Sequence, residues 1–496
     1  MILMSSAKDV QKLVKSKLKG YKFLIVSNRE PYIHMHTPDG VRVKTPAGGL
    51  TAALDPLMQA TGGTWVAGGS GDADRICVDK QNRCRVPPDK PKYVLKRVWM
   101  SKDEVDKFYF GFSNQTLWPL CHNVFREPVF EESFWEGYKH SNALYAEAIR
   151  QEMRGINKAF IWFHDYHLSL TPKMVRNGAQ RKQKLVLAHF WHIPWPTRDI
   201  FALLPWAEEV IEGMLANDLI GFHLPSYCFN FLASVENVMG IKVDYRAFNV
   251  KYQGRTIQVK PFPISVDFDT IDNMARVPEV KREMKRVRAP QYIPYKYIGV
   301  GVDRIDYTKG ILQRFRAIDR FLEKYPEYQN NFVFVEAGAP SRNRIPAYME
   351  LNEEISKAVD KINWKYLRGY WKPIVYITGK LDPDRLFALY RTADVCIVSP
   401  IQDGMNLVAK EFISANVDCT GVLVLSKFAG ATEELKSAVV VNPYDVEGFA
   451  DTIRDALEMS PKEKRRRMKN LRDNVRKNNV FQWLSDFICE GAKLIS

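Results

Sequence analysis

Short apolar segments alternate with helical patterns over most of this chain, and that alternation limits the folds open to it. Helical patterns such as Tyr138–Arg154 and Leu312–Lys324 separate the apolar segments. Apolar strands separated by helices are typical of parallel sheets that are covered by helices on both faces. The sequence therefore predicts an α/β fold with doubly wound parallel sheets, whose strands are Lys22–Ser27, Phe160–Phe163, Lys184–Phe190, Leu219–Phe222, Ile257–Pro261, Tyr297–Val302, Phe332–Ala337, Ile374–Thr378, Val395–Ser399, Val422–Leu425 and Ala438–Val441.

A break in this alternation predicts two domains. Residues 267–295 form a charged helical pattern that ends in a segment with two prolines, Pro290 and Pro294. We predict a Rossmann-like N-terminal domain over residues 21–266 and a second Rossmann-like domain over residues 267–475. In doubly wound sheets ligands bind beyond the carboxyl ends of the strands. Two such domains facing across a cleft suit a transfer between two substrates.

Both termini are predicted to be helical. Residues 476–496 are predicted to form a C-terminal helix. Residues 1–20 are predicted to form an amphipathic extension packed on the body, because apolar side chains recur there at helical spacing with lysines between them, at Val10, Leu13, Val14 and Leu18.

The chain is basic, with 72 Lys and Arg against 57 Asp and Glu and a formal net charge of +15. Much of the surplus lies in two short polar segments, residues 276–288 and 462–477. Such runs are most often solvated helix faces, and weak attraction for polyanions is the alternative. We therefore expect no nucleic-acid partner.

Cysteine usage and hydropathy indicate the cellular compartment in which we expect the protein. The seven cysteines are scattered and form no CxxC pair. This pattern suits a reducing compartment and argues against a zinc site. No apolar run reaches the roughly 18 residues that a membrane span needs. We therefore expect a cytoplasmic protein with no membrane partner.

A strand-to-helix loop at residues 301–310 offers two cations. Arg304 and Lys309 follow the strand that ends near Val302. Fixed cations at this point can neutralise a diphosphate and stabilise the charge that grows on it as it leaves. The alternative is a pair of surface cations that are neutralised by Asp303 and Asp306.

A second strand-to-helix loop, at residues 399–411, offers groups that suit a sugar and a ribose. Asp403 can accept hydrogen bonds from sugar hydroxyls, Gly404 allows a tight turn, and Glu411 lies within reach of a ribose. The N–H groups of residues 405–408 open the helix towards a hydroxyl or phosphate oxygen. The alternative is a capped helix start in which Asp403 satisfies the first N–H groups.

In the first half, Gly48 and Gly49 enter a helix, where backbone N–H groups can approach an anion. The alternative there is a simple helix-entry turn.

Histidines gather after two neighbouring strands and leave three interpretations open: binding of sugar hydroxyls, a structural role, or a metal site, although no HExxH spacing occurs. These residues are His164, His167, His189 and His192, with Asp165 among them.

Two further features concern anions and metals. Arg29 and Arg342 each follow a strand end, one in each predicted domain, where guanidinium groups can bind a phosphate in a bidentate manner. A surface position is the alternative for each. The Asp72-Ala73-Asp74 sequence suggests the DxD of metal-dependent transferases, but it lies in a glycine-rich loop and not after an apolar strand, so we discount it.

Taken together and in order, these segments resemble the trehalose-6-phosphate synthases, which are retaining glycosyltransferases of the two-domain GT-B type. The resemblance runs from about Phe23 to the end of the chain. Its motifs are SNRE (27–30), AGGL (47–50), FSNQTLWPL (112–120), WFHDYH (162–167), HIPWP (192–196), VDRIDYTKG (302–310), APSR (339–342), DGMNLVAKE (403–411), GVLVLSKFAGATEEL (421–435) and VNPYD (441–445).

The resemblance implies transfer of glucose from a nucleotide sugar, most often UDP-glucose, to glucose 6-phosphate, giving α,α-trehalose 6-phosphate. It also implies front-face retention without a protein nucleophile, no metal or other cofactor, a C-terminal helix that crosses back to the first domain, and compatibility with a homo-oligomer. The implied catalytic residues are Arg304, Lys309, His192 and Asp165. The implied donor-binding residues are Gly48, Gly49, Arg304, Lys309, Leu381, Asp403, Gly404, Met405, Asn406, Leu407, Val408 and Glu411, and the implied acceptor-binding residues are Arg29, Tyr109, Trp118, Asp165 and Arg342.

The chain departs from the family pattern at three positions. Gly68 stands where family members commonly carry a second tryptophan, which would line the acceptor side. Gln402 replaces an arginine, and Lys380 lies where the base is read. These departures leave GDP- or ADP-sugar donors open, together with another phosphorylated acceptor such as glycerol phosphate. A catalytically silent sugar-phosphate sensor is the alternative from another functional class.

Overall fold

The computed structural model describes Met4 and residues 6–46, 49–289, 295–379 and 381–495. Gly48, Lys380 and the two prolines of the predicted boundary lie outside the described residues. The chain divides into two compact units. The N-terminal unit comprises Met1–Ile264 and Val480–Ser496, and the C-terminal unit comprises Ser265–Asn479.

The N-terminal unit contains one large sheet and a separate hairpin. Its strands are β1 (Lys22–Ser27), β2 (Ile33–Thr37), β3 (Gly40–Lys44), β4 (Thr64–Gly68), β5 (Arg83–Val86), β6 (Tyr93–Val98), β7 (Lys158–His164), β8 (Lys184–Phe190), β9 (Leu219–Phe222), β10 (Val243–Asp244), β11 (Asn249–Tyr252) and β12 (Arg255–Pro261). Its helices are α1 (Ala7–Lys17), α2 (Gly49–Thr61), α3 (Lys102–Val105), α4 (Trp118–His122), α5 (Glu132–Glu152), α6 (Thr171–Asn177), α7 (Arg198–Phe201), α8 (Ala207–Leu215) and α9 (Pro225–Met239), with a π-helix over Asp106–Leu117.

The strand order of the large sheet is β10-β11-β12-β9-β8-β7-β1-β4-β6-β5. The strands from β12 to β6 pair in parallel, whereas the pairs β10–β11, β11–β12 and β5–β6 are antiparallel. The chain leaves β1 for β4 on one side and later returns to β7 on the other, so the order reverses between β1 and β7. Such a switch point is where ligands bind in doubly wound sheets.

The C-terminal unit contains a second parallel sheet. Its strands are β13 (Tyr297–Arg304), β14 (Phe332–Ala339), β15 (Ile374–Thr378), β16 (Val395–Val398), β17 (Val422–Ser426) and β18 (Val439–Val441), in the order β15-β14-β13-β16-β17-β18. Its order reverses between β13 and β16. Its helices are α10 (Phe268–Ala275), α11 (Pro278–Val287), α12 (Ile311–Lys324), α13 (Pro346–Lys365), α14 (Pro383–Thr392), α15 (Leu407–Ala415), α16 (Val446–Glu458) and α17 (Pro461–Lys477).

The last helix, α18 (Val480–Ala492), belongs to the N-terminal unit. Phe487 stacks on Trp162 of β7, with ring centroids 4.2 Å apart and planes at 7°. The backbone N–H of Met4 donates to the side chain of Gln482. The N-terminal helix predicted for residues 1–20 forms over Ala7–Lys17, and its apolar side is buried. No helix within the described ranges is long and apolar enough to cross a membrane.

The central strands are apolar because both of their faces are covered. In β1, Phe23 to Ser27 are all buried. Leu24 and Val26 lie on one face in a core cluster with Ile161 and Phe163 of β7. A strand that is buried on both faces gives a continuous apolar run and not an alternating one.

Five strands of the N-terminal sheet, β4, β5, β6, β10 and β11, are missing from the sequence prediction. β6 contains Lys96 and Arg97 at its centre, and both side chains are buried. The Lys96 ammonium donates to the carbonyl of Gln81 at 2.6 Å. Buried and paired cations interrupt the apolar pattern on which the prediction depends, so the strand was not recognised.

The basic run at 462–477 forms α17, and part of its charge is used inside the C-terminal unit. The buried Arg472 pairs with Asp272 of α10 and donates to the carbonyl of Ser414 at 2.7 Å. Glu463 accepts from both Arg466 and Arg467. These contacts account for several of the basic side chains without a polyanion.

Candidate active site

Asp165 lies at the carboxyl end of β7, beside the switch point of the N-terminal sheet. Its φ of 73° places the backbone in the left-handed region, which is sparsely populated by side-chain-bearing residues and is found at functional sites. The carboxylate Oδ1 accepts from the backbone N–H of Tyr166 at 3.0 Å and of His192 at 3.3 Å. The structure therefore brings together Asp165 and His192, two of the predicted catalytic residues.

Buried histidines surround this carboxylate. His164 Nδ1 lies 3.2 Å from His192 Nε2, and His223 Nε2 lies 3.0 Å from the carbonyl of His192. Burial lowers the pKa of His164 and of His192 well below the ordinary value, and lowers the pKa of His189 to about 3. These imidazoles are neutral near pH 7 and act as hydrogen-bonding groups. Within the described part of the chain, no group of three or more His, Cys, Asp or Glu side chains is arranged to hold a metal ion.

The aromatic stretch around Tyr109 forms the π-helix, an element that occurs often at functional sites. Tyr109 stacks on His167 with centroids 5.8 Å apart and planes at 11°. The side-chain amide of Asn114 donates to the Tyr109 carbonyl at 2.6 Å, and the Tyr166 hydroxyl donates to Asn114 at 2.9 Å. Trp118, directly after the π-helix, lies 5.8 Å from the Tyr166 ring. Tyr109 and Trp118 are thus gathered around the turn that carries Asp165.

Arg29 and Gly49 also belong to the N-terminal unit. Arg29 is half-buried just beyond β1, where the Ser27 hydroxyl donates to the Arg29 carbonyl at 2.6 Å. β1 and β7 are adjacent, so Arg29 and Asp165 leave the same edge of the sheet. Gly49 begins α2. Gly48, the other predicted glycine, lies outside the described residues.

Trp99 packs against the residue that follows β4. A Cβ on this residue, Gly69, would lie 2.3 Å from the indole of Trp99. The Trp99 ring therefore lies against Gly69, directly after β6. The sequence prediction missed Trp99, because the strand that precedes it was not recognised.

Asp74 of the discounted DxD sequence is a buried ion-pair partner. Arg97 Nη2 lies 2.6 Å from Asp74 Oδ1, and the same oxygen lies 2.8 Å from His34 Nδ1. Arg97 also pairs with Glu30. Burial raises the pKa of Glu30 to about 7. Asp74 is thus committed to holding the loop, which agrees with discounting it as a metal ligand.

In the C-terminal unit, the two loops at the switch point meet through Lys309 and Asp403. Lys309 Nζ lies 2.6 Å from Asp403 Oδ2, and both side chains are largely buried. Arg304 is the last residue of β13 and is half-buried. The alternative of surface cations paired with Asp303 and Asp306 is wrong for Lys309.

Asn406 caps α15, so the alternative in which Asp403 is the cap is wrong. Asn406 Oδ1 accepts from the backbone N–H of Ala409 at 3.0 Å. Its side-chain amide donates to Asp403 at 3.1 Å and orients that carboxylate. Leu407 and Val408 occupy the first turn of α15, where helix N–H groups have no carbonyl four residues earlier.

A neighbouring turn holds the Asp403 loop in place. A Cβ on Gly430 would lie 2.1 Å from the carbonyl oxygen of Gly404, so only glycine fits there. The backbone N–H of Ala431 donates to the Met405 carbonyl at 2.8 Å. Gly404 and Met405 are buried as a result. Leu381 is half-buried beyond β15, next to the undescribed Lys380.

Glu411 lies on the first turns of α15. Burial raises the pKa of its carboxyl to about 7. A carboxylate that sits close to its titration point changes its hydrogen-bonding capacity within the physiological range. The sequence did not indicate this raised pKa of Glu411.

Arg342 is buried and ion-paired, so the surface reading of this residue is wrong. Its Nη1 lies 2.8 Å from Asp306 Oδ2, in the same loop as Arg304 and Lys309. Burial alone would raise the pKa of Asp306, but the nearby Arg342, Lys309 and Arg304 charges lower it to about 2. The C-terminal unit thus places three predicted site cations around one carboxylate.

Below both loops lies a buried charge cluster that the sequence did not reveal. Arg314 of α12 is fully buried. Its guanidinium pairs with Glu336 at 2.7 Å and with Asp303 at 2.6 Å, and donates to Ser399 Oγ at 2.9 Å. Asp303 precedes Arg304 at the end of β13, and Ser399 begins the Asp403 loop, so Arg314 ties the end of β13 to that loop.

The family model described as Glycosyltransferase family 20 matches residues 21–492. The chain belongs to glycosyltransferase family 20. This family of trehalose-6-phosphate synthases is the one that the motifs indicated, so the recognition is confirmed, and the chain is a glycosyltransferase.

Similar curated proteins and solved structures match nearly the whole chain. A trehalose-6-phosphate synthase of Mycolicibacterium smegmatis is 38% identical over 474 residues, which is 94% of this chain and 91% of that protein. A bifunctional trehalose-6-phosphate synthase/phosphatase of Thermoproteus tenax is 38% identical over 478 residues, and the match covers 94% of this chain but 63% of that protein. The chain therefore spans less than two thirds of the bifunctional relative.

Two similar solved structures are described with bound ligands. One, described as trehalose-6-phosphate from E. coli bound with UDP-2-fluoro glucose, has a TM-score of 0.83 and 30% identity, and covers 95% of this chain and 99% of its own. The other is a UDP-forming α,α-trehalose-phosphate synthase from Burkholderia xenovorans in complex with glucose-6-phosphate, with a TM-score of 0.84, 30% identity and the same coverage. The predicted GT-B class with two Rossmann-like domains is confirmed.

Proposed function

We propose that this chain transfers glucose from UDP-glucose to glucose 6-phosphate, with retention of configuration, to give α,α-trehalose 6-phosphate and UDP. The observation that carries the proposal is the Lys309–Asp403 pair at the switch point of the C-terminal sheet, with Arg304 on the same loop. The names of the relatives and the ligands in the two similar structures support it.

For the donor, we assign the diphosphate to Arg304 and Lys309 and the glucose to Asp403 and His192. The Lys309 ammonium donates to Asp403 Oδ2 at 2.6 Å, so this carboxylate neutralises its charge. A diphosphate carries more charge than one carboxylate, so it competes for the ammonium group. Asp403 is then released to accept hydrogen bonds from the sugar hydroxyls. The neutral His192 can donate or accept a hydrogen bond without moving a net charge.

For the chemical step, we propose a front-face displacement. The bond between the donor anomeric carbon and the diphosphate oxygen breaks, and its electron pair goes to that oxygen. The acceptor hydroxyl oxygen bonds to the anomeric carbon from the same face, and its proton passes to the leaving diphosphate oxygen. No protein nucleophile and no metal ion enter this scheme. Arg304 and Lys309 stabilise the charge that grows on the leaving group.

For the acceptor, we assign the phosphate to Arg29, Tyr109 and Arg342 and the sugar ring to Trp118 and Asp165. Guanidinium groups suit a phosphate because they donate two parallel hydrogen bonds. The Asp165 carboxylate is held by two backbone N–H donors, which leaves its orientation fixed before a sugar arrives. A pre-oriented group loses less conformational freedom on binding.

The test is a donor–acceptor matrix with the purified protein. UDP-, GDP- and ADP-glucose are each combined with glucose 6-phosphate, glucose, fructose 6-phosphate and glycerol 3-phosphate. We expect nucleotide release with UDP-glucose and glucose 6-phosphate, and an α,α-1,1 linkage by NMR. Turnover with free glucose at a similar rate would contradict the phosphate assignment. Absence of turnover in every combination would contradict the proposed transfer itself.

One observation favours a second candidate, the same transfer to another phosphorylated acceptor. Gly68 replaces the indole expected on the acceptor side, and Trp99 lies against the adjacent Gly69 instead. Loss of the indole at position 68 changes the apolar surface that the resemblance places on the acceptor side. Nucleotide release with glycerol 3-phosphate but not with glucose 6-phosphate, in the same set of assays, would favour this candidate.

The pKa of Glu411 predicts a pH dependence of donor binding. Burial raises this pKa to about 7, and we assign the carboxylate to the ribose hydroxyls. As the pH falls below that value Glu411 gains a proton, and the neutral acid is a poorer hydrogen-bond acceptor. We expect the Kd of UDP-glucose, measured by calorimetry without acceptor, to be up to about tenfold higher at pH 6 than at pH 8.

The matched control is Glu411→Gln, which cannot titrate and should give a flat profile across this range. The variant separates Glu411 from other groups that change charge over the same interval, such as Glu30. A wild-type profile as flat as that of the variant would contradict the assignment.

A further inference from the structure

Asp306 joins two segments that carry different substrate-binding cations. Its Oδ1 accepts from the backbone N–H of Thr308 at 3.0 Å and from the Thr308 hydroxyl at 2.9 Å, which fixes the turn just before Lys309. Its Oδ2 accepts from Arg342 Nη1 at 2.8 Å and from the Tyr348 hydroxyl at 3.3 Å. One buried carboxylate therefore holds the Lys309 turn with one oxygen and Arg342 with the other.

Further contacts join the segment around Ile305 and Tyr307 to the segment that contains Ser341, Arg342 and Tyr348. The Ser341 hydroxyl donates to the Ile305 carbonyl at 2.7 Å. The rings of Tyr307 and Tyr348 lie 5.2 Å apart, and the Arg342 guanidinium lies 5.4 Å from the Tyr348 ring centroid. A displacement of the loop around Ile305 would therefore also displace Ser341 and Arg342.

The Arg342 backbone is itself held in an unfavourable conformation. Its φ is 51°, in the left-handed region. Such a conformation costs on the order of 1 kcal/mol or more for a side-chain-bearing residue, and it persists where surrounding contacts determine it. The contacts with Asp306 and Tyr348 hold Arg342 in this conformation. The position of the guanidinium therefore depends on Asp306.

We propose that Asp306 is a positioning residue that couples binding of the donor diphosphate to binding of the acceptor phosphate. This inference rests on the proposed function, in which Lys309 and Arg304 bind the diphosphate and Arg342 binds the phosphate. When the diphosphate draws Lys309 and Arg304 to itself, Asp306 keeps Arg342 and holds its guanidinium for the second anion. By linkage, the acceptor phosphate must favour the diphosphate by the same factor.

The experiment measures the Kd of UDP by calorimetry, with and without saturating glucose 6-phosphate. For the wild-type protein we expect UDP to bind about tenfold more tightly when glucose 6-phosphate is present. In Asp306→Asn, which is isosteric and keeps an acceptor for Thr308, we expect that ratio to fall to near one. The matched control is Asp360→Asn on the exposed face of α13, where the wild-type ratio should remain.

A second variant keeps the test decisive if Asp306→Asn does not fold. Tyr348→Phe removes one hydroxyl from the Asp306–Arg342 contact and leaves every charge in place. We expect an intermediate ratio, with a thermal midpoint close to that of the wild type. A ratio that is unchanged in both variants would overturn the inference.

Inorganic phosphate separates a failure of the coupling from a failure of the proposed acceptor. If glucose 6-phosphate has no effect on UDP binding but inorganic phosphate tightens it in an Asp306-dependent manner, the acceptor assignment fails and the coupling stands. If glucose 6-phosphate turns over normally and neither anion alters the Kd of UDP, the proposed function stands and the coupling is overturned.

Discussion

Replacement of Arg304 by alanine is expected to lower kcat by about 10³-fold, which corresponds to about 4 kcal/mol of transition-state stabilisation. Arg304 ends β13 at the switch point, on the loop that carries Lys309. The charge on a departing diphosphate is greatest in the transition state, so an interaction with that charge acts on kcat more than on binding. Steady-state kinetics with UDP-glucose, together with calorimetry of UDP-glucose binding, measure the two effects separately.

Two matched variants define the result. Arg304→Lys keeps the charge but loses the planar donor pair, and it should recover part of the lost rate. Arg316→Ala removes an exposed arginine from α12 and should leave kcat unchanged. An effect of Arg304→Ala that is confined to KM, with kcat intact, would show uniform binding of the ground and transition states and would contradict the catalytic role.

The buried parallel strands were predictable because their environment imposes one pattern. β1, β8, β9 and β15 have the same bounds in the structure as in the prediction. Each is short, apolar and flanked by helical or polar residues. β6 is not predicted because Lys96 and Arg97 are buried within it, and no rule based on local hydropathy expects two buried cations in a strand that is paired on both sides.

The proximity of the candidate site residues was predictable where they follow an apolar strand directly. Lys309 and Asp403 were identified in this way, and the structure places them 2.6 Å apart. The residues that position them were not predictable. Arg342 meets Asp306 across 36 positions of sequence. This ion pair forms because the strands that precede the two residues are adjacent. The sequence of a short segment does not determine which strands are adjacent.

The pKa values of buried histidines and carboxylates also could not be predicted from the sequence. The pKa of His192 is lowered by burial and by the neighbouring His164 and His223. These three histidines lie at the ends of three different strands, β7, β8 and β9. Glu411 has a raised pKa because of its burial. Sequence identifies the residue types near a strand end, but the desolvation that sets their protonation appears only when the surrounding elements are in place.

Arg314→Met is expected to destabilise the C-terminal unit by about 3–5 kcal/mol, because it leaves a buried carboxylate pair without its cation. Arg314 is fully buried between Glu336 and Asp303. Burial already raises the pKa of Glu336 to about 7 while the guanidinium is present. Without Arg314 we expect both carboxyl groups to become harder to ionise, at a cost to folding.

The change should appear in scanning calorimetry as a thermal midpoint about 10 °C lower for the transition of this unit, since 1 kcal/mol corresponds to about 2–4 °C in a domain of this size. Arg316→Met, an exposed position on the same helix, is the control and should shift the midpoint by less than about 2 °C. The double variant Arg314→Met/Glu336→Leu should recover part of the loss, because it also removes one unpaired carboxylate. A midpoint for Arg314→Met equal to that of the control would show that the cluster does not stabilise the two loops. The geometry of Lys309 and Asp403 would then need another support.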